Sequence, residues 1–566
     1  MVRSARRSGI PPHPPGWVRA RRRRRAPRRG RAAAAILGGA LALSAALPTP
    51  RAAAEPGRPL PLVLQDDATL LNRTREQVRD AVETAAGLGV GVVRLTASWS
   101  RIAPDPQATR RPAFDPRDPD AYGTRAWEHL DLAVREARRA GLRVLIDVAF
   151  WAPRWALRDP ATADRARPRN APDPDAFAAF AEAVARRYRG DHVPPGQADP
   201  LPRVDLLATW NEPNHPSFLS PQWRRDPAAP GGWRAASPAV YRAMHLAADA
   251  AIRRAAPGTT VLLGNLAAIG GPPGEHGVPP LRFLRDLACV DERLRPRSDG
   301  DCGDFRPVRA DGLAYHPYTR YVTPGTRAAA RDQAALADLP RLHELLERLR
   351  AAGRLRLPED APLWLTEYGY ETREDDPYQP FTRADQARFA GWSAYLAWRA
   401  PGVVSDAQFL LRDIDPAESG IPADDRRHYR DWQSGVLDHR GRPKPGAAAT
   451  MLPLWPRIVG DGAHRRLWVF ARVRPGAGPR AFRLERWTGA DWTPVLLDAC
   501  GPPRPGCGPP GAGSAGGGSG WGGETWTDPQ GAALRTGPAL GPGPYRLLWR
   551  NGGRWVAGPP VTAHAE

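Results

Sequence analysis

Eight short apolar runs, each followed by a longer amphipathic stretch, are the feature that most restricts the fold of this 566-residue chain. The runs begin near residues 60, 90, 142, 204, 259, 311, 362 and 403. Apolar runs of this kind are typical of strands that are buried on both faces of a parallel sheet. Eight strands alternating with helices predict an α/β fold, a (β/α)₈ or TIM barrel. A doubly wound open sheet is the alternative, but no Gly-rich phosphate turn follows the first strand.

The stretches between the runs have the period of helices. In AWEHLDLAVREARRAGLRV one face stays apolar, and it contains Leu130, Ala133, Val134 and Ala137. Gly141 is well suited to end this helix before the next strand. Thr382 and Asp385 open a later helix in the manner of an N-capping arrangement.

The pattern changes after about residue 450. Short alternating segments such as RRLWVFARVRP and GPYRLLWRNGG, without a clear helix, predict a small all-β, sandwich-like domain over residues 451–566. Residues 55–450 then form the barrel domain. Residues 501–524 are rich in Gly, Pro and Ser, a composition that cannot bury a core, and they predict a flexible surface loop.

The first 54 residues have the layout of a secretory signal peptide. A basic run, RARRRRRAPRRGR, precedes the apolar stretch AAAAILGGALALSAAL, which is too short for a comfortable membrane span. Ala52 and Ala54 supply a small-x-small cleavage pattern just before Glu55. An exported protein without a stable membrane span after processing is therefore expected, and an uncleaved N-terminal anchor is the alternative.

The basic charge belongs largely to that segment. Thirteen arginines and no acidic residue lie in residues 1–54, so residues 55–566 carry a net charge of +8 out of the formal +21. After residue 55 no basic block is interleaved with aromatic residues in the way that a nucleic-acid groove requires. We therefore do not expect a nucleic-acid partner.

Four cysteines form two close pairs in the sequence, Cys289 with Cys302 and Cys500 with Cys507. In an exported protein, an even number of locally spaced cysteines favours disulfides, whereas metal sites favour CxxC spacings and histidine partners. We expect two disulfides, each closing a short loop. No metal cluster or cofactor fingerprint is recognisable in the sequence, and we expect neither a metal nor a cofactor.

Two glutamates follow strands of the predicted barrel. Glu212 comes at the end of the fourth run, in TWNEPN, and Glu367 at the end of the seventh, in LTEYG. Because the carboxyl ends of barrel strands converge on one pocket, both carboxylates are expected in the same cleft. Such a pair is what glycosidic bond cleavage needs: one carboxyl protonates the leaving oxygen, and the other attacks the anomeric carbon or activates water.

These motifs, together with VVRL on the second strand and YHPY on the sixth, resemble clan A of the glycoside hydrolases. The resemblance covers roughly residues 60 to 450 and is greatest to the cellulase-type family 5 and the xylosidase/iduronidase-type family 39. It implies a retaining glycosidase that acts by double displacement on a β-linked oligo- or polysaccharide or glycoside. Glu212 would be the general acid/base and Glu367 the nucleophile.

The resemblance also implies roles for four further residues. Arg94, at the end of the second strand, would keep the nucleophile ionised, and Asn211 would donate a hydrogen bond to the sugar 2-hydroxyl. His316 and Tyr318, after the sixth strand, would orient the nucleophile and contact the sugar. A surface charge for Arg94 and a structural His-Pro turn are the plainer alternatives.

Aromatic residues near the strand ends are candidates for stacking on sugar rings. Trp99 and Trp151 follow the second and third strands, but either one is equally compatible with the core. Clan members often have a tryptophan on the eighth strand beneath the sugar, where SDAQFLLRD offers Phe409 or Gln408. The shape of that sugar subsite therefore differs from the usual pattern.

Two other functions are compatible with the same residues. A non-catalytic carbohydrate-binding protein would share the fold, but it would not need an acid and a nucleophile together. A transglycosylase would use the same residues with a sugar acceptor in place of water, and the sequence does not separate it from a hydrolase. The sugar, the linkage and endo or exo action are likewise left open.

Overall fold

A computed structural model of the chain describes residues 60–161, 164–498, 524–538 and 540–565. The predicted signal peptide lies outside these residues. So do Cys500, Cys507 and nearly all of the Gly/Pro-rich segment.

A parallel sheet of eight strands forms the first part of the structure. The strands are β1 (Leu62–Gln65), β2 (Val90–Ser98), β3 (Arg143–Ala149), β4 (Leu206–Thr209), β5 (Thr260–Ala267), β6 (Gly312–His316), β7 (Leu363–Leu365) and β8 (Asp406–Phe409). Their order is β7-β6-β5-β4-β3-β2-β1-β8, and a parallel bridge from Leu363 to Val403 brings the two edges together. The predicted TIM barrel and its eight strands are confirmed.

Side chains alternate between the interior of the barrel and the helices outside it. The interior cluster contains Val63, Val92, Leu145, Leu206, Ala208, Leu262 and Ala314. Val93, next to Val92 on β2, belongs instead to the large core between sheet and helices. This alternation explains why the strands appear as continuous apolar runs, since both faces are buried.

A helix follows each strand. The helices are α1 (Arg75–Gly87), α2 (Thr124–Arg139), α3 (Pro174–Arg187), α4 (Ser237–Ala255), α5 (Pro280–Leu287), α6 (Leu339–Ala351), α7 (Arg383–Arg399) and α8 (Pro445–Met451). Gly141 follows α2 with a φ of 78°, a conformation that glycine adopts without strain. A capping box between Thr382 and Asp385 begins α7, as the sequence predicts. None of the described helices is long and apolar enough to cross a membrane.

Smaller elements decorate the barrel. A hairpin of Trp223–Arg225 and Trp233–Ala235 lies between β4 and α4, and a two-residue pairing joins Val308–Arg309 to Leu355–Arg356. Cys289 and Cys302 form a disulfide, which confirms the first of the two predicted pairs. The second pair lies outside the described residues.

The C-terminal part is all β. Its strands are β9 (Leu454–Val459), β10 (Arg466–Arg472), β11 (Ala481–Trp487), β12 (Trp492–Val495), β13 (Thr525–Trp526), β14 (Ala532–Pro538), β15 (Gly543–Asn551), β16 (Arg554–Ala557) and β17 (Val561–Ala565). All the pairings are antiparallel except that of β9 with β17. Val469 of β10, Leu484 of β11 and Leu547 of β15 share one buried core, as expected for a sandwich-like domain.

Aromatic residues join the barrel to this domain. Trp392 of α7 stacks on Trp455 of β9 with 4.5 Å between ring centroids. Arg474 forms a buried ion pair with Asp406 at the start of β8. Through these contacts the β domain covers one side of α7.

Candidate active site

The TWNEPN turn that follows β4 presents Glu212 to the cleft. Trp210 and Glu212 have φ values of 72° and 41°, and the Glu212 N–H donates to the carbonyl of Asn265 at 2.9 Å. Trp210 is fully buried, and the Asn214 amide donates to the carbonyls of Ala267 at 3.0 Å and Val278 at 3.1 Å. The tryptophan and the second asparagine of the motif therefore anchor the turn, which leaves the Glu212 carboxylate at the top of the barrel.

Glu367 lies two residues beyond β7 and is held at both oxygens. Arg94 Nη1 donates to Oε1 at 2.6 Å, and the Tyr318 hydroxyl donates to Oε2 at 3.2 Å. The Glu367 side chain retains 12% of its exposure, so it still faces the cleft. The two hydrogen bonds, one of them from a cation, fix the orientation of this carboxylate.

Arg94 is the centre of a buried polar network. It lies in the interior of β2 and not at the end of the strand as predicted, because β2 continues to Ser98. Its Nη2 donates to Asp147 Oδ2 and to Asn211 Oδ1, each at 2.7 Å. Burial raises the pKa of Asp147 to about 7, although the Arg94 charge opposes this. The guanidinium thus connects the predicted nucleophile to β3 and to the turn after β4.

His316, the last residue of β6, lies between the two glutamates. Its Nδ1 is 2.8 Å from Glu212 Oε1 and 3.5 Å from Glu367 Oε2. Burial lowers the pKa of His316 to about 3, so the ring is neutral at physiological pH. Burial also raises the pKa of Glu212, against the opposing charges of His215 and Arg94. The histidine therefore contacts Glu212 more closely than Glu367, the residue it was predicted to orient.

The two carboxylates are close together. One oxygen of each glutamate and a ring nitrogen of His316 all lie within 4.8 Å of one another. Among the described residues, this is the only group of three histidine, cysteine or acidic side chains that is spaced to hold a metal ion. The two acids follow strands that are three apart in the order of the sheet, so the curvature of the closed barrel brings them together.

An aromatic wall covers one side of the cleft. The ring of Tyr318 stacks on that of Trp432 with 5.4 Å between centroids and meets Phe409 edge-on at 6.2 Å. Gln408 does not reach the cleft, since its amide donates to backbone carbonyls that include that of Ser434. Trp432, from the segment after β8, packs between Tyr318 and Phe409, with 5.3 Å between its ring centroid and that of Phe409. Nothing in the sequence except its being a tryptophan pointed to Trp432 as part of this wall.

The two tryptophans considered for sugar stacking differ in their surroundings. Trp99 is fully buried and stacks on Phe180 at 5.6 Å, so it belongs to the core. Trp151 is 8% exposed, donates to the Ser217 carbonyl at 2.9 Å and has the Arg167 guanidinium 5.5 Å above its ring. The structure thus brings six of the seven predicted site residues into one network, and Trp151 lies apart from it.

Sequence reasoning missed the residues beneath the cleft. Asn265 lies at an irregularity in β5 and donates to Asp147 Oδ1 at 2.9 Å and to the Trp210 carbonyl at 3.1 Å. It also accepts a hydrogen bond from the Thr366 hydroxyl at 2.9 Å. Asp147 and Asn265 each interrupt an apolar strand with a polar side chain, which is the signal that would have identified them.

No protein-family model matches this sequence, and no curated protein sequence matches it. Several solved structures are similar to the chain at low identity. One is a family 39 glycoside hydrolase from Bacteroides cellulosilyticus WH2, with a TM-score of 0.47, 16% identity and coverage of 85% of this chain and 81% of that one. Another is GH5_18 from Streptomyces cattleya in complex with GlcNAc, with a TM-score of 0.42, 18% identity and coverage of 69% and 79%. A third is an endo-beta-1,4-mannanase from Thermotoga petrophila, with a TM-score of 0.37, 11% identity and coverage of 91% and 99%.

Proposed function

We propose that this protein is a secreted, retaining glycoside hydrolase that cleaves the O-glycosidic bonds of a β-linked glycan or glycoside by double displacement. The observation that carries the proposal is the approach of a Glu212 oxygen to within 4.8 Å of a Glu367 oxygen. Retaining enzymes hold their carboxyl groups ~5–5.5 Å apart, whereas inverting enzymes separate them by ~6.5–9.5 Å to admit a water molecule. The spacing here suits direct attack by a carboxylate.

Glu367 is the nucleophile in this proposal. Arg94 and Tyr318 hydrogen-bond both of its oxygens, which fixes its orientation. Its oxygen forms a bond to the anomeric carbon as the bond to the leaving oxygen breaks. The product of this step is a covalent glycosyl-enzyme.

Glu212 is the general acid and then the general base. Burial raises its pKa, which favours the protonated form that the first step needs. It gives its proton to the leaving oxygen and later takes one from the water that releases the sugar. The His316 ring lies 2.8 Å from Glu212 and is neutral. It can therefore hydrogen-bond this carboxyl group without adding a positive charge that would favour the ionised form.

Asn211 would bind the sugar. Its Oδ1 accepts from Arg94 at 2.7 Å, so the Nδ2 group is the end that can donate to a 2-hydroxyl. Such a contact strengthens in the transition state and contributes to rate and not only to affinity.

Export is the second part of the proposal and depends on residues 1–54, which lie outside the described residues. Their basic run, apolar stretch and Ala-x-Ala pattern support cleavage close to Glu55. N-terminal sequencing of the secreted protein checks this, and an intact residue 1 would contradict it.

Azide rescue tests the two catalytic roles. With an aryl glycoside that the wild type cleaves, Glu367→Ala should abolish turnover, and azide should restore it with an inverted glycosyl azide. Glu212→Ala should still form the intermediate when the leaving group needs no protonation, and azide should give the retained product. Wild-type rates in both variants, or the opposite stereochemistry in each, would overturn the assignment.

The same assay separates the two rival functions. A transglycosylase would form the intermediate but transfer the sugar to an added acceptor faster than to water. A carbohydrate-binding protein would bind without turnover on any substrate, and neither alanine variant would then respond to azide.

A further inference from the structure

Arg94 is shared by two carboxylates. Its Nη1 donates to Glu367 Oε1 at 2.6 Å, and its Nη2 donates to Asp147 Oδ2 at 2.7 Å. These are the two ion pairs that Arg94 forms within the part of the chain that the structure describes. The side chains of Arg94 and Asp147 are 1% and 0% exposed, whereas that of Glu367 keeps 12% and faces the cleft. One arginine is thus held between an acid that meets the cleft and an acid that does not.

Asp147 accepts a hydrogen bond at each of its oxygens. Oδ2 accepts from Arg94, and Oδ1 accepts from the Asn265 amide at 2.9 Å. The Asn265 oxygen in turn accepts from the hydroxyl of Thr366 at 2.9 Å, and Thr366 directly precedes Glu367. An ionised carboxylate is only an acceptor and suits two donors, whereas a neutral amide would point an N–H at one of them. The site is therefore built for a negative charge at Asp147.

The proposed reaction removes the charge from the other acid. When a Glu367 oxygen bonds to the anomeric carbon, its carboxylate becomes a neutral ester. The negative charge passes to the leaving oxygen and, as that oxygen takes the proton of Glu212, to the Glu212 carboxylate. Arg94 keeps its positive charge, because a guanidinium is not deprotonated in proteins. Since a buried cation without a counter-ion is costly, the glycosyl-enzyme needs a second acid beside Arg94.

Asp147 is the acid that meets this need by direct contact. Asp67 and Glu212 also interact electrostatically with Arg94. Neither of them forms an ion pair with it among the described residues. Once Glu367 is an ester, Asp147 is therefore the carboxylate that remains bonded to the guanidinium.

The charge of Glu367 also affects how readily Asp147 ionises. Burial raises the pKa of Asp147, the Arg94 guanidinium lowers it, and the Glu367 charge raises it further. An ester at Glu367 removes that last contribution and leaves the contribution of Arg94 in place. Asp147 is therefore more fully ionised in the glycosyl-enzyme, which is the state in which Arg94 depends on it.

We propose that Asp147 is a positioning residue that acts through Arg94, as the counter-ion that keeps this arginine paired while Glu367 is esterified. This inference rests on the proposed glycosidase function and deepens it. Asp147 is fully buried beneath the cleft, so it acts without contacting the sugar. It favours formation of the glycosyl-enzyme, and it does not favour the hydrolysis of that intermediate.

The test measures the two half-reactions separately. The probe is the 2,4-dinitrophenyl 2-deoxy-2-fluoroglycoside of a sugar whose aryl glycoside the wild type cleaves. Mass spectrometry measures the rate at which the covalent intermediate forms, and the return of activity after removal of the probe measures its hydrolysis. Asp147→Asn should slow formation by roughly tenfold to a hundredfold, because Arg94 loses its remaining counter-ion. Hydrolysis should be unchanged or faster, because it returns a carboxylate to Arg94.

Two further variants separate charge from structure. Asp147→Glu keeps the charge and should restore part of the rate of formation. Asn265→Ala removes an uncharged partner of Asp147 and should slow both half-reactions alike. An equal loss in both half-reactions of Asp147→Asn, or formation at the wild-type rate, would overturn the counter-ion role while the glycosidase function stands.

A crystal structure of the trapped wild-type enzyme tests the proposal without any variant. Arg94 Nη2 should remain bonded to Asp147 when Glu367 carries the sugar, and an Arg94 side chain that has turned away from Asp147 would overturn the proposal. A sugar attached to a residue other than Glu367, or a wild type that cleaves no aryl glycoside, would overturn the proposed function and this inference with it.

Discussion

Lys444, the single lysine of the chain, places its Nζ 2.6 Å from Asp413 Oδ2 and 3.0 Å from Asp375 Oδ2 in a buried site. Asp413 also accepts the N–H of Gly435 at 2.8 Å, and Lys444 donates to the Gln433 carbonyl at 3.4 Å. The ion pairs thus tie the segment that carries Trp432 to the loops after β7 and β8. Buried ion pairs contribute little net stability, so we interpret this one as a device for positioning that segment.

Lys444→Met should therefore lower the free energy of unfolding by about 3–5 kcal/mol, since it leaves the buried Asp413 carboxylate without its cation, whereas Asp375 keeps its ion pair with Arg383. Urea denaturation measures this. Arg331→Met is the matched control, because Arg331 and Glu292 form an ion pair whose side chains are 74% and 69% exposed. That variant should lose no more than about 1 kcal/mol. An equal loss in the two variants would contradict the positioning role.

His316 should make the protein less stable in acid. Its folded-state pKa is lowered to about 3 by burial, whereas the ordinary value is 6.5. Protons therefore bind preferentially to the unfolded chain as the pH falls below that value, and stability is lost toward acid pH. His316→Gln should remove up to ~2 kcal/mol of the stability loss between pH 7 and pH 5. Urea titrations of both proteins at the two pH values check this, and identical pH slopes would refute it.

Asn265 should be needed both for stability and for rate. Its side chain bonds Asp147, the Trp210 carbonyl and Thr366, so Asn265→Ala should cost about 2–3 kcal/mol through buried groups left without partners. The turn that presents Glu212 would shift, and kcat should fall roughly tenfold to a hundredfold. Asn72→Ala, at an exposed asparagine with a φ of 58°, is the control and should leave kcat unchanged. An active Asn265→Ala enzyme would disprove the supporting role.

The Cys289–Cys302 disulfide should stabilise the protein measurably. It links residues that are 13 apart in sequence, for which loop closure predicts a contribution of about 3 kcal/mol. The double variant Cys289→Ala/Cys302→Ala should lose about that much in urea denaturation. Peptide mapping of the wild-type protein without reduction identifies the pairing of all four cysteines, including Cys500 and Cys507. Cross-links between the two cysteine pairs would contradict both assignments.

Patterns within the sequence predicted the barrel and two of the acidic side chains that meet in its cleft. Strands buried on both faces must be apolar throughout, and helices between them must keep one apolar face, so both periods are visible without a structure. Glu212 and Glu367 were recognisable because a carboxylate directly after such a strand faces the common pocket. Short segments of alternating polar and apolar residues after residue 450 likewise indicated an all-β domain.

The resemblance predicted that Arg94 acts on Glu367, but only the tertiary structure determined which atoms of these side chains meet. Arg94 on β2 meets Glu367 after β7, and Trp432 reaches Tyr318 from an irregular segment that has no periodic pattern. These contacts join residues far apart in sequence, and they arise when the sheet closes and the loops after β6, β7 and β8 fold over its end. The burial that raises the pKa of Glu212 and lowers that of His316 is a property of the closed cleft, because it depends on how much water the surrounding loops exclude.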